Sequence, residues 1–389
     1  MMIPERPALE RRVLSALDAS GAGARIPVLL GGCGSGRTSV LLRLRDLIGR
    51  SQAQYIDLER VATTPERFLR SVRDGSPFPA HSNGQKGGEH GAREAFDASL
   101  AYLGTARAPG DGPATFLLDE FLELRTFESF PGLRSVLRDL IAGLSSSGNR
   151  FVLTTRYVAR AHRLLRDAPS QFEIVHVAPL SPAEIRATVA SPHGSRHEDD
   201  PHRDDLARMI HALSDGRPAY ARMIADTATA MAPRGGEDPV AALASLLAPG
   251  GALAAACRFS YELRLHRARG YGALKAILDV LAEEEPLTLT EIAVRLLRTP
   301  GSTKDYLSWL EDVDLVVSRR KRYSFADPML RLWVRLHCRP MLPAEEEIAR
   351  EVQSFALSHL PATEPALALA GTTDGTPGPE RSWGIIEID

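Results

Sequence analysis

The stretch IPVLLGGCGSGRTSVLLRLRDLI, residues 26–48, sets an apolar run, a glycine-rich loop and a helical pattern in direct succession. Val28 to Leu30 reads as a buried strand, and Gly31, Gly34 and Gly36 follow with Ser35 among them. Glycines let successive backbone N–H groups turn inward on phosphate oxygens, and a helix beginning at once adds its positive N-terminal end. Thr38 and Ser39 open that helix, with a hydroxyl where such loops hold Mg2+. The cation facing the phosphates in this pattern is a lysine, and here the position is Arg37. A glycine-rich strand-to-helix turn without a ligand is the rival reading of the same residues.

Outward from this loop, the chain alternates short apolar runs with helical patterns. Residues 27–32, 54–58, 114–121, 150–156 and 172–180 read as strands, and 37–48, 65–72, 92–104, 131–144 and 158–167 as the helices between them. That alternation predicts an α/β fold, a doubly wound parallel sheet flanked by helices, and the glycine-rich loop after its first strand makes it one of the P-loop NTPase kind. Residues 74–91, rich in Gly, Pro and His, have no period and read as a surface insertion.

From Ser181 the strand signal stops and five helical patterns follow, the first opened by Ser181, Pro182 and Glu184. A third block begins near Gly270, where three short helices precede DLVVSRRKRYSF, a ribbon with a basic turn, in the order of a winged helix. The expected division is an α/β domain over 1–180, a helical lid over 181–269, a winged helix over 270–340, and a C-terminal helix with a Pro/Gly/Thr-rich tail over 341–389. The last seven residues, WGIIEID, are apolar and acidic, with the pattern of a strand that adds to a sheet edge or of a free terminus.

The other residues that carry chemistry stand at strand ends. In ATFLLDEF an apolar run delivers Asp119, suited to reach Mg2+, and then Glu120, suited to orient and deprotonate an attacking water. In RFVLTTR the strand ends at Thr154, Thr155 and Arg156, beyond the carboxyl edge where an open α/β sheet binds its ligand. A guanidinium there can report the γ-phosphate.

Composition bounds the rest. With 389 residues, 44% apolar and 25% charged, the chain has material for several globular cores. It shows no 18-residue apolar stretch and no leader-like N-terminus, so a cytoplasmic protein without a membrane span is expected. Three distant cysteines suggest neither a disulfide framework nor a zinc site. A formal charge of −2 leaves nucleic-acid affinity to local patches such as Arg319, Arg320, Lys321 and Arg322. Only four of the 47 basic residues are lysine, so an arginine at position 37 follows a chain-wide bias.

Taken in order, GGCGSGRT, FLLDE, VLTTR, PLSPAEI and SDGRPAYARMI resemble the STAND branch of AAA+-related P-loop ATPases. The ending YSFADPMLRLWVRL is similar to the close of the winged helix in archaeal-type ATPases, at Phe325, Asp327, Pro328, Arg331 and Trp333. The resemblance covers about residues 10–340 and implies ATP and Mg2+ as ligands, Thr155 and Arg156 as a phosphate sensor, and Pro218 of Gly216-Arg217-Pro218 against the adenine. It also implies a homo-oligomer or a partner protein, with Arg160 and Arg163 as candidates to act across a subunit boundary. Arginine is wider than lysine and favours bidentate geometry, so Arg37 predicts firm binding with slow hydrolysis, the behaviour of a switch. Two alternatives stay open: a DNA-binding ATPase of the origin-recognition or transposition-regulator type, and a nucleotide-gated scaffold that does not hydrolyse. Asp305, Glu311, Asp312 and Asp314 on and after the third short helix weigh against DNA contact there.

Overall fold

A computed structural model describes residues 6–18, 25–79, 91–188, 201–232, 236–268 and 270–360. The WGIIEID segment and most of the 74–91 insertion lie outside the described residues.

Five strands form one parallel sheet: β1 (Ile26–Leu30), β2 (Ala53–Asp57), β3 (Thr115–Asp119), β4 (Arg150–Thr155) and β5 (Phe172–His176), in the order β2-β3-β4-β1-β5. The central strands are near-continuous apolar runs because helices cover both faces. Alternation along each strand divides two cores. Leu29, Leu117, Val152 and Val175 face α1 (Pro7–Asp18) and α2 (Arg37–Ile48), through Val13, Leu17, Val40, Leu41 and Leu44. Val28, Leu30, Phe116, Leu118, Phe151 and Leu153 face the opposite layer. That layer holds α3 (Leu58–Val61), α4 (Pro65–Asp74), α5 (Ala92–Thr105), α6 (Val136–Ser145) and α7 (Val158–Leu165).

Two features differ from the sequence expectation. α1 precedes the first strand and places Glu10 against Arg43 of α2 at 2.7 Å. The expected 131–144 helix starts only at Val136, and a 3₁₀ segment, Phe121–Ser129, fills the chain after β3. The insertion is anchored at its start: Phe78 is buried edge-on against Phe116, ring centroids 5.3 Å apart.

Beyond the sheet, α8 (Pro182–Thr188), α9 (Pro201–Ser214), α10 (Pro218–Met231), α11 (Pro239–Leu247) and α12 (Ala252–Arg267) form a helical layer. α13 (Tyr271–Glu283), α14 (Leu289–Arg295) and α15 (Pro300–Asp312) follow, with β6 (Leu287–Thr288), β7 (Val316–Arg319) and β8 (Arg322–Phe325) in an antiparallel sheet ordered β6-β8-β7. The expected two-stranded ribbon thus gains a third strand. Its turn holds Arg320 and Lys321 at φ 51° and 63°, the left-handed backbone that a two-residue hairpin turn requires. α16 (Pro328–His337) is capped by Asp327, and α17 (Glu345–His359) returns along α16 to pack on α11 and α9. Among the described residues no single helix is long and apolar enough to cross a membrane; α11 and α12 reach that length only together, across a 53° bend.

Candidate nucleotide site

The phosphate loop sits at the carboxyl edge of the sheet, between β1 and α2. Gly34 and Gly36 take φ 76° and 87°, which a side chain would strain, and a Cβ on Gly31 would lie 2.7 Å from Ser35 Oγ. The cradle is therefore closed to any larger residue.

Asp119 ends β3 among hydroxyls. It accepts from Thr38 Oγ1 at 2.6 Å and Tyr55 Oη at 2.9 Å through Oδ2, and from Thr154 Oγ1 through Oδ1. A hydroxyl beside a buried carboxylate is the hard-oxygen donor pair that Mg2+ takes when phosphates and water complete its shell. Thr38 and Asp119 fit that ion. Burial, then the Asp119 charge and hydrogen bond, push the Tyr55 phenol far above its usual range.

Glu120 turns the chain at φ 56°, a left-handed conformation that costs a non-glycine residue about 1–2 kcal/mol. Contacts hold it there: its N–H donates to Thr154 Oγ1 at 3.1 Å, and its Oε2 accepts the Arg156 N–H at 3.0 Å. Its Oε1 takes Arg37 Nη2 at 2.6 Å and lies 3.1 Å from Arg156 Nε. Burial pushes this carboxyl up, but Arg37 and Arg156 more than offset it and hold the group below the ordinary carboxylate range. Arg156 also pairs with Glu59 at the start of α3. Burial works against its charge, and Glu120, Cys33 and Glu59 together outweigh that and make the guanidinium still harder to deprotonate.

Arg37 does not point freely out of the loop. Nη1 donates to the Gly32 carbonyl at 2.6 Å, to Ser35 Oγ at 3.0 Å and to the Gly31 carbonyl, while Nη2 holds Glu120. Thr155 accepts the Tyr157 N–H at 3.2 Å and shapes the turn into α7, so the hydroxyl that reaches Asp119 belongs to Thr154.

The opposite wall comes from distant sequence. Pro218 at the start of α10 lies over Gly36, and Ala219 N–H meets the Gly34 carbonyl at 3.4 Å. Arg217 donates to the Cys33 carbonyl and the Ala326 carbonyl, each at 2.8 Å, and pairs with Asp327 at 3.1 Å. Arg264, fully buried on α12, donates to the Asp314 carbonyl at 2.7 Å. The Asp314 carboxylate lies beside Gly32, near Arg217. Burial pushes Asp314 up to about 6, against the pull of Arg264, Arg217 and Arg37. Cys33 goes the other way: burial raises it, but Arg264, Arg156 and Arg37 outweigh that and lower its thiol.

The structure brings Gly31, Gly34, Ser35, Gly36, Arg37, Thr38, Ser39, Asp119, Glu120, Arg156 and Pro218 to one place. Arg160 and Arg163 instead meet Asp312 of α15 within the chain, Arg160 at 3.5 Å. Arg319, Arg320, Lys321 and Arg322 lie at the far ribbon, exposed and outside this site. Sequence reading missed Tyr55, Glu59, Arg264 and Asp314. Only Tyr55 left a signal, as a polar tip in the strand beside β3.

A Walker-type ATPase of Pyrococcus abyssi superposes on 86% of this chain and 96% of its own, with a TM-score of 0.60 at 18% identity. The fold is that of a Walker-type P-loop ATPase. Weaker likeness extends to the Cdc6p of Pyrobaculum aerophilum, with a TM-score of 0.40 at 13% identity over 92% of this chain and 97% of that one. The Aeropyrum pernix ORC1 protein in complex with DNA gives 0.43 at 17% identity over 91% and 93%. No family model and no curated protein matches the sequence.

Proposed function

We propose that this chain is a cytoplasmic, Mg2+-dependent ATP switch of STAND/AAA+ type that hydrolyses slowly and passes its nucleotide state to a C-terminal winged helix. The observation that carries this reading is Arg217, whose one guanidinium touches the Cys33 carbonyl in the phosphate loop and Ala326 and Asp327 before α16. In this reading residues 1–180 are the ATPase domain, 181–269 the lid, 270–340 the winged helix and 341–389 a C-terminal helix and tail. Gly31 to Ser39 hold the phosphates, Thr38 and Asp119 the Mg2+, and Glu120 the attacking water. Arg156 with Thr155 senses the γ-phosphate, and Pro218 closes over the nucleotide. When bound, Mg·ATP supplies the phosphoanhydride and the charge that draws these arginines.

Phosphate oxygens and the carboxylates Asp314 and Asp327 then compete for Arg217 and Arg264. A ligand moves such an equilibrium only by its differential affinity for the two states. The test is a titration of the full chain with a fluorescent ATP analogue beside a phosphate-release assay. Saturable Mg2+-dependent binding with slow release supports the switch; no saturable binding overturns it. Tight binding with no release would leave a nucleotide-gated scaffold acting through a homo-oligomer or partner protein.

A DNA-binding ATPase is the second reading. Two of the acids that weigh against DNA contact face inward, Asp312 to Arg160 and Arg163, and Asp314 to Arg264 and Arg217, while Arg319, Arg320 and Lys321 stay exposed at the ribbon tip. Salt-sensitive DNA binding that disappears when residues 319–322 are neutralised would favour it.

A further inference from the structure

Both carboxylate oxygens of Glu120 are already engaged, one of them by Arg37. Oε1 accepts from Arg37 Nη2 at 2.6 Å, with the Arg156 guanidinium as an ion-pair neighbour whose Nε lies 3.1 Å away, and Oε2 accepts the Arg156 N–H at 3.0 Å. The backbone that carries this carboxylate is held by the Glu120 N–H to Thr154 bond and by the φ 56° turn. The partner able to leave is Arg37, whose hydrogen bonds other than the one to Glu120 all go to its own loop. Those bonds are the kind a phosphate could replace.

We propose that Arg37 is a positioning residue that withholds Glu120 from the attacking water until nucleotide phosphates draw its guanidinium away. This rests on the reading of Glu120 as the group that activates water. The guanidinium fork makes the device: one nitrogen grips the loop while the other grips the carboxylate. Lysine, a single ammonium on a thin stem, lacks that fork of two separated nitrogens. The same residue thus serves as brake and as detector of phosphate, and the arginine that departs from the lysine pattern acquires a role that lysine lacks.

The experiment compares full-length wild type with R37K, E120Q and the double variant, measuring affinity for a fluorescent ATP analogue and single-turnover phosphate release. R37K is expected to raise the release rate about tenfold, with ATP affinity changed less than about threefold, and the gain is expected to vanish in the E120Q background. A release rate in R37K equal to or below wild type overturns the proposal, as does the same gain without Glu120. Loss of ATP binding in R37K alone also overturns it, because Arg37 would then serve phosphate binding only. Failure of wild type itself to bind ATP overturns the switch reading, an outcome separate from these.

Discussion

At the scale of single residues, Glu120→Gln keeps the shape of the side chain and removes its basicity. Phosphate release is expected to fall about 10²-fold with ATP affinity retained, checked by titration and release assays on one preparation. Cys33 offers an independent probe of the same cleft. Its thiol is lowered by Arg264, Arg156 and Arg37 against burial, whereas burial pushes Cys338 up to about 11 and Cys257 higher still. Thiolate is the reactive form, so iodoacetamide at neutral pH is expected to label Cys33 first, and Mg·ATP to protect it, as read by peptide mass mapping. Asp119, Glu120 and Arg156, which the structure gathers in one place, each stand where an apolar strand ends, so local pattern alone marks them. Arg264 and Asp314 carry no such mark, because a buried arginine on a helix and an acid after a helix reveal their roles only once α12 and the α15–β7 turn meet above Gly32.

At the scale of elements, β1, β3 and β4 were readable because burial on both faces forces unbroken apolar runs, and α1 was overlooked although Val13 and Leu17 repeat at helical spacing. The meeting of α12 with the α15–β7 turn has a pH signature. Asp314 titrates near 6 in the folded chain, above the ordinary 3.8, so the fold gains from its protonated form. That gain is complete below about pH 4 and is lost as pH rises to about 6 and beyond. Asp314→Asn should therefore match wild type in melting temperature near pH 4 and exceed it above pH 6, the difference growing across that window. Arg264→Met should act oppositely at neutral pH. The Arg264 guanidinium satisfies the Asp314 carbonyl at 2.7 Å and offsets the Asp314 charge beside it, so its loss is expected to cost about 3 kcal/mol, read from urea denaturation.

At the scale of the molecule, the phosphate loop is not a free surface waiting for ligand: α10, α12 and the segment from Asp314 to Asp327 all close on it. If phosphates take Arg217 and Arg264 from those acids, amides within residues 314–327 should exchange with deuterated solvent faster when Mg·ATP is added. Unchanged exchange would show that the C-terminal module does not respond to nucleotide. Arg217 carries one more consequence, for anyone who would take the chain apart. Asp327 is far from Arg217 along the chain, yet the pair meets at 3.1 Å, with Tyr220 on the same carboxylate at 2.7 Å. A fragment ending near residue 269 would keep Arg217 and Arg264 but lack Asp314 and Asp327, leaving Arg217 with Asp215. Such a piece is expected to express poorly or to aggregate, so the smallest workable unit for crystallisation or enzymology extends through α16.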